Sequence, residues 1–371
     1  MTQGPMKAPM QDAVALAKRL RNFAGADRVA PAELAALASD VFVLCGVPRP
    51  DADIAAEVAL WAQLHGSESH GIVHLPLYTR GLLDRTIKSN PAFSVSQTMP
   101  ASAVLDADHA LGLVASRRAL DMAMAFARSH GLGAVAVRNS SHFGAAGYYA
   151  ERAAEEGLIG LAFTNAQPAI APTGAIEGLL GTNPIGVAFP VPGADPIVAD
   201  MATATVARSR IRHALAAGQK TIPEGWALDP SGQPTTDPAL AVKGSILPIG
   251  GPKGYALALM VEIFCSALSD GEPGFQVTYE NVVKRPSNIC QFFLVLNPAG
   301  FAGQEAYGAR MSHIAEVIGN AKPMAGAPPP RLPGARGHAV KRKVAADGIA
   351  MFDNLRAALK NVAGMIESET A

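Results

Sequence analysis

The chain is short of cysteine, of aromatic residues and of charge, and each shortage excludes something. Its 371 residues include three cysteines (Cys45, Cys265, Cys290), an odd number with no CxxC spacing. That argues against a disulfide framework or a zinc knuckle and fits a reducing, cytoplasmic setting. Lys and Arg number 31 and Asp and Glu number 31, for zero net charge, so no basic excess exists to neutralise a nucleic-acid backbone. Apolar stretches break well before the roughly 20 residues of a membrane span, and the N-terminus lacks the apolar core of a signal peptide. Aromatics make up 6% against 49% hydrophobic residues overall, so cores built from small aliphatic side chains are expected. Charged residues are only 17%, which points to surface covered by a second subunit, with plain compositional bias as the alternative.

Familiar motifs are also missing. No GxGxxG follows a strand, and GxxxxGK[ST], HExxH and GxSxG do not occur. Gly131-Leu132-Gly133 precedes a strand pattern, so it reads as a helix end and not as a pyrophosphate turn.

What is present alternates. Residues 1–30 read as a polar appended arm. Helical patterns open at Pro31 and near Asp53, and residues 31–100 read as mostly helical, with residues 300–371 returning to that part. Between them, residues 101–299 alternate helix and strand, with strands expected at 102–107, 134–139, 158–165, 185–191, 196–201 and 289–297. The stretch AKPMAGAPPPRLPGARGHAVKRK is too rich in Pro and Gly for a helix or central strand. It is either a solvated linker or a loop over a ligand.

Four short segments carry candidate chemistry. In Ser69-His70-Gly71 a hydroxyl beside an imidazole suits a general acid, although an isolated histidine is more often structural. His70 and His74 at i, i+4 have metal-ligand spacing, but no third ligand lies nearby, so no metal is expected. Asn139 to Gly147 runs from a strand end into a helix, where backbone N–H groups and small residues admit a phosphate; a turn capped by Ser140 or Ser141 is the plainer reading. Gly181-Thr182-Asn183-Pro184-Ile185-Gly186 has turn chemistry. Gly250-Gly251-Pro252-Lys253-Gly254 places a lysine at a helix start, which an anion would favour. Asp200 ends a strand where it can cap the next helix.

Taken in order, six stretches resemble the malate/L-lactate dehydrogenase family of the second type: SHGIVHLPLYTRGL, NSSHFGAAGYYA, GLLGTNPIGVAFPVPG, PIVADMATATVARSRI, PEGWALDPSGQPTTDP and ILPIGGPKGYALALMVEIF. That family includes ureidoglycolate and sulfolactate dehydrogenases, diketogulonate reductase and piperideine/pyrroline-2-carboxylate reductases. The resemblance implies an α/β fold with a mixed-sheet cofactor domain of non-Rossmann type and a helical domain built from both chain ends, in a homodimer. It implies hydride exchange between NAD or NADP and a small 2-oxo or 2-hydroxy acid, with His70 as proton donor or acceptor assisted by Ser69. A cyclic imino acid is the alternative substrate, and a binding protein that has lost its chemistry is the alternative from another class. Cofactor contacts would come from His142, Phe143, Gly144, Ala145 and Ala146, from Asp200, Met201 and Ala202, from Pro252 and Lys253, and from Arg331, Leu332 and Pro333. Thr182 would touch the substrate. Two departures stand out. His74 occupies a position where relatives usually carry the arginine that holds the substrate carboxylate, and a histidine lacks that bidentate fork. Ser209-Arg210 replaces the usual Gly-Lys, without the aspartate of imine reducers at position 210; Arg208 or Arg210 is then the candidate carboxylate holder.

Overall fold

The computed structural model describes residues 10–67, 69–278 and 284–370. A seven-stranded sheet forms its centre, from β1 (Ser94–Met99), β2 (Ser102–Asp106), β3 (Leu132–Ser140), β4 (Ile159–Thr164), β5 (Ile185–Phe189), β6 (Ile197–Met201) and β7 (Ile289–Leu296). Their spatial order is β1-β2-β3-β7-β4-β5-β6. Only β2 and β3 pair in parallel; the other neighbours are antiparallel, so the sheet is mixed. The last strand in sequence, β7, sits between β3 and β4. Its run ICQFFLVL is almost wholly buried, as a central strand covered on both faces requires. At the edge, β1 (SVSQTM) is exposed along its whole length and carries no apolar alternation, which is why the sequence reading passed over it.

The parallel β2–β3 link runs through α5 (Gly112–His130). That helix ends at Gly131, whose left-handed φ of 85° forms the C-cap. Two residues on, a Cβ on Gly133 would meet the Ala123 carbonyl at 2.1 Å, so glycine there lets β3 pass beneath the helix. The Gly-Leu-Gly triplet is therefore helix-end and packing chemistry, as the sequence indicated.

Helices α2 (Pro31–Leu44), α3 (Arg49–Leu64) and α4 (Leu75–Leu83) precede the sheet. Residues expected within an appended arm form α1 (Met10–Gly25), which buries Ala13, Leu16, Ala17, Leu20 and Ala24 at helical spacing. That face packs on a C-terminal helix, Asp353–Thr370, which buries Leu355, Leu359, Val362 and Ile366. The small alanines within an otherwise charged segment hid this amphipathicity. A two-residue antiparallel pairing of Arg28–Val29 with Ile349–Ala350 ties the two chain ends again. The helical part and the sheet share one continuous apolar core, from Ala13 through Phe293 to Ile366.

The remaining helices are α6 (Ala146–Glu155), α7 (Arg208–Ala216), α8 (Pro238–Lys243), α9 (Pro252–Glu262), α10 (Gln304–Gly319), α11 (Ala335–Asp347) and α12, the C-terminal helix above. The Pro-rich stretch is irregular only to Gly334; α11 then begins inside the segment where no helix was expected. The three cysteines are buried and free. Among the described residues, no helix is long and apolar enough to cross a membrane.

Candidate active site

A cavity of about 670 Å³ opens between the helical part and the sheet, a size that suits a cofactor-scale ligand. One wall carries His70, His74 and His142. His70 precedes a short 3-10 turn, Gly71–His74, and has extended backbone. Gly71 allows the chain to cross α3, because a Cβ there would meet the Ala59 carbonyl at 2.3 Å. Buried Gln63 fixes the crossing from both sides: its Nε2 donates to the His70 carbonyl (3.1 Å) and its Oε1 accepts from the Ile72 N–H (3.0 Å). The His70 backbone is thus held by core hydrogen bonds, while Ser69 Oγ lies 2.9 Å from His70 Nδ1.

The three imidazoles form a compact group. Ring centroids lie 5.7 Å apart for His70–His74, 6.2 Å for His70–His142 and 5.0 Å for His74–His142. At His142, the Gly144 N–H donates to Nδ1 (3.3 Å), so Nδ1 is an acceptor and the Tyr78 hydroxyl 2.8 Å away donates to it as well. The ring proton of neutral His142 therefore sits on Nε2. Burial lowers the pKa of all three rings: His70 lies below its ordinary value, His74 falls to about 4 with help from His70, and His142 falls well below 6.5. The wall is uncharged at neutral pH.

Phe143, Gly144, Ala145 and Ala146 line the next wall as β3 turns into α6. The serines do not cap that helix. Ser141 Oγ instead accepts from the Gly112 N–H (2.8 Å) and donates to the Ala110 carbonyl (3.1 Å). The N-cap is Ala145, which offers no side-chain cap. Of the first N–H groups of α6, that of Gly147 bonds the Asp200 carboxyl and that of Tyr148 bonds the Ala145 carbonyl, so an acidic side chain already sits at this helix start. Asp200, Met201 and Ala202 line the opposite side, and burial within the cavity wall pushes the Asp200 carboxyl up to about 6, against the Gly147 N–H and His65.

Thr182 and Arg208 also line the cavity, as does Arg212 one turn along α7; Arg210 does not. Thr182 is presented by buried Asn183, which holds φ of 33° while its side chain donates to the Ala258 carbonyl and Glu262. The Arg208 fork donates to the carbonyls of Pro168 (3.2 Å) and Gly244 (3.3 Å). Pro252 and Lys253 open α9 at an exposed position outside the cavity lining. Arg331, Leu332 and Pro333 lie just before it: the Pro333 carbonyl accepts from Val198 N–H, and the lining residues are the following Gly334, Arg336, Gly337 and His338. Sequence reasoning missed Gln63, Tyr78, Arg212, Trp61, His65 and His338. Tyr78 alone had a signal, continuing the i, i+4 row from His70 and His74.

Among the described residues, one group of His, Cys, Asp or Glu side chains brings ligand atoms close enough to share a metal ion. It is His65, Glu151 and His338, not the His70 wall.

A mixed sheet with a histidine-walled cavity at its junction with a helical part is an architecture shared with proteins named dehydrogenases and reductases, which makes this protein an oxidoreductase. The sequence pattern of the malate/L-lactate dehydrogenase family matches residues 29–360, and the chain belongs to that family. Malate dehydrogenase of Pyrococcus abyssi is 40% identical over 303 residues, covering 80% of this chain and 83% of the relative. The solved structure of sulfolactate dehydrogenase from Methanocaldococcus jannaschii matches with a TM-score of 0.85 at 39% identity, covering 92% of this chain and 97% of that one. Delta1-piperideine-2-carboxylate reductase from Pseudomonas syringae gives 0.81 at 30% identity, covering 91% and 100%.

Proposed function

We propose that the protein exchanges a hydride between NAD or NADP and a small 2-oxo or 2-hydroxy acid, with His70 exchanging the proton at the substrate oxygen. The observation that carries this reading is His70 itself: backbone clamped by Gln63, Nδ1 beside Ser69 Oγ, and ring on the cavity wall. The cavity residues fit a dinucleotide. Gly144, Ala145 and Ala146 line the cavity at the start of α6 and leave room for a ligand to approach the backbone closely. When bound, the nicotinamide supplies or takes the hydride.

The chain's own residues then handle proton and charge. In oxidation, neutral His70 takes the hydroxyl proton; in reduction, its protonated form returns it to the carbonyl oxygen. Ser69 orients the ring through Nδ1. His74 is neutral at pH 7 and makes a weak carboxylate partner. Arg208 and Arg212, on one face of α7 and both on the cavity wall, take that role. The substrates named for the relatives, malate and sulfolactate, are both 2-hydroxy acids with a second anionic group, which two arginines suit. A homodimer is supported by apolar residues around α9: Leu257, Leu259, Ile263 and Leu268 are all more than a third exposed.

The test is a panel of oxaloacetate, sulfopyruvate, pyruvate and a cyclic imino acid, each with NADH and NADPH. Turnover of a 2-oxo acid, lost in His70→Ala with cofactor binding retained, is the expected result. Turnover of the imino acid alone would move the assignment to the imine-reducing branch, and undiminished activity in His70→Ala would remove His70 from the mechanism.

A further inference from the structure

At the far wall of the cavity three buried groups meet from separate parts of the chain. His65 closes α3, Glu151 lies within α6 and His338 lies within α11. Their side chains are 8%, 2% and 5% exposed. His65 Nδ1 is 2.9 Å from the Trp61 carbonyl, and His338 Nε2 is 3.0 Å from the Pro196 carbonyl. A carbonyl oxygen only accepts, so each of these nitrogens carries its ring's proton. In the neutral rings the other nitrogens, His65 Nε2 and His338 Nδ1, hold bare lone pairs. They lie 3.1 Å from Glu151 Oε2 and 3.4 Å from Glu151 Oε1.

Three potential ligand atoms therefore face one another at the edge of the cavity, and His65 Nε2 is buried with no hydrogen-bond partner. A single proton on His65 Nε2 would pair that ring with Glu151 Oε2 and still leave His338 Nδ1 facing Oε1, whereas a metal ion between the three satisfies all of them. Trp61 Nε1 donates to Glu151 Oε2, and Lys341 Nζ lies 3.5 Å from Oε1 and 3.3 Å from Glu155. Those contacts offset the carboxylate but leave the two nitrogens as they are. Protons on both rings would set two imidazolium ions and Lys341 around a single carboxylate in a buried space. A bound anion is opposed by Glu151 itself.

We propose that His65, Glu151 and His338 form a binding site for one divalent transition-metal ion of the zinc class. Two imidazole nitrogens and a carboxylate are borderline ligands that suit zinc and not the all-oxygen preference of magnesium or calcium. Metal–ligand bonds of about 2.0–2.1 Å bring ligand atoms close together; here one ligand atom from each side chain lies within 4.8 Å of the others, with His65 Nε2 3.1 Å from Oε2 and His338 Nδ1 3.4 Å from Oε1. Donation of the remote ring N–H to a backbone carbonyl is the usual way a metal-binding histidine is oriented. His65 and His338 also line the cavity, which supplies an entry path and room for a water ligand. The ion joins α3, α6 and α11, and so fastens the C-terminal segment beside the cavity without contact with the His70 wall.

The test uses full-length protein stripped with EDTA and titrated with zinc chloride by calorimetry and thermal melting, and with cobalt chloride by visible absorption. One equivalent of zinc should bind, the melting temperature should rise by several degrees, and cobalt should show the d–d bands of nitrogen and oxygen coordination. His338→Ala and Glu151→Gln should each weaken zinc binding at least 100-fold. Because Glu151→Gln disturbs a buried position, Lys341→Met is the second variant: removing the competing ammonium should tighten zinc binding. Zinc affinity unchanged in a His65→Ala/His338→Ala double variant, or lower affinity in Lys341→Met, overturns the proposal.

Discussion

Ser69 Oγ lies 2.9 Å from Nδ1 of His70, and this contact leaves Nε2 as the nitrogen available to a ligand. Replacing His70 with alanine should lower kcat in either direction by about 10² to 10⁴, the usual contribution of a positioned acid–base group. Ser69→Ala keeps the imidazole and loses its orientation, so a fall of roughly tenfold is expected, with KM little changed. Steady-state rates for both variants, alongside cofactor titration by fluorescence, check this; a Ser69→Ala enzyme as slow as His70→Ala would make the hydroxyl the proton carrier.

The direction of the His70 shift sets the pH profile. Burial favours the neutral ring, so its pKa lies below 6.5. Oxidation needs the neutral imidazole: kcat/KM should rise with pH through an apparent pKa below 6.5 and level off above it. Reduction needs the imidazolium and should fall with pH through the same value. The apparent pKa belongs to the His70–His74–His142 group as a whole, since the rings lie within 6.2 Å and influence one another. An oxidation limb centred above 7 would contradict the assignment.

His74 is the residue through which substrate preference is open to change. Its pKa of about 4 leaves it neutral under assay conditions, so it gives a carboxylate one uncharged hydrogen bond at most. His74→Arg introduces a charge-assisted, bidentate partner worth about 1.5–3 kcal/mol. KM for 2-oxo acids should fall about tenfold or more. The added positive charge should also push the His70 titration lower. A KM unchanged in His74→Arg, together with one raised in Arg208→Ala, would place the carboxylate wholly on α7.

The same depressed pKa values bear on stability. His74 binds its proton near pH 4 when folded and near 6.5 when unfolded, so the unfolded chain takes up more protons in between. Full stability is present above pH 6.5 and is lost as pH falls toward 4. At about 1.4 kcal/mol per unit, His74 alone accounts for at most about 3–4 kcal/mol. Melting temperatures from pH 7.5 to 4.5 should drop steeply, and less steeply in His74→Gln. Parallel curves for the two proteins would show that this ring does not carry the dependence.

Much of the sheet and part of the site could be read from the chain because they rest on local pattern. Apolar runs such as ICQFFLVL and AVAVRN marked buried strands, and the spacing of His70 and His74 put two rings on one wall. Where local pattern was weak, the reading stopped short. β1 is polar and exposed, and α11 starts only two residues after Pro333, in a segment dominated by helix breakers. The charge at Lys253 suggested an anion, but Lys253 is exposed and is not among the residues that line the cavity. Gln63 looked like any polar helical residue until the chain crossing at Gly71 gave its amide two backbone partners. His65, Glu151 and His338 are separated by long stretches of chain, and only the packing of α3 against α6 and α11 makes them neighbours.

That dependence on packing gives a last prediction, at Gly112. Its N–H donates to Ser141 Oγ, and a Cβ placed on it would meet the Ser141 carbonyl at 2.0 Å and the His142 carbonyl at 2.6 Å. Both obstacles are backbone, so neither can swing aside. Gly112→Ala must displace either the start of α5 or the turn that carries His142, at a cost of about 1–3 kcal/mol. Gly131→Ala is the control. Its Cβ would meet nothing within 4 Å, and the penalty is left-handed backbone strain of about 1–2 kcal/mol, remote from His142. Both variants should melt lower, but only Gly112→Ala should also lose turnover, because only there does the strain fall on the wall that holds His70, His74 and His142. Equal activity in the two variants at matched stability would show that the wall tolerates the shift.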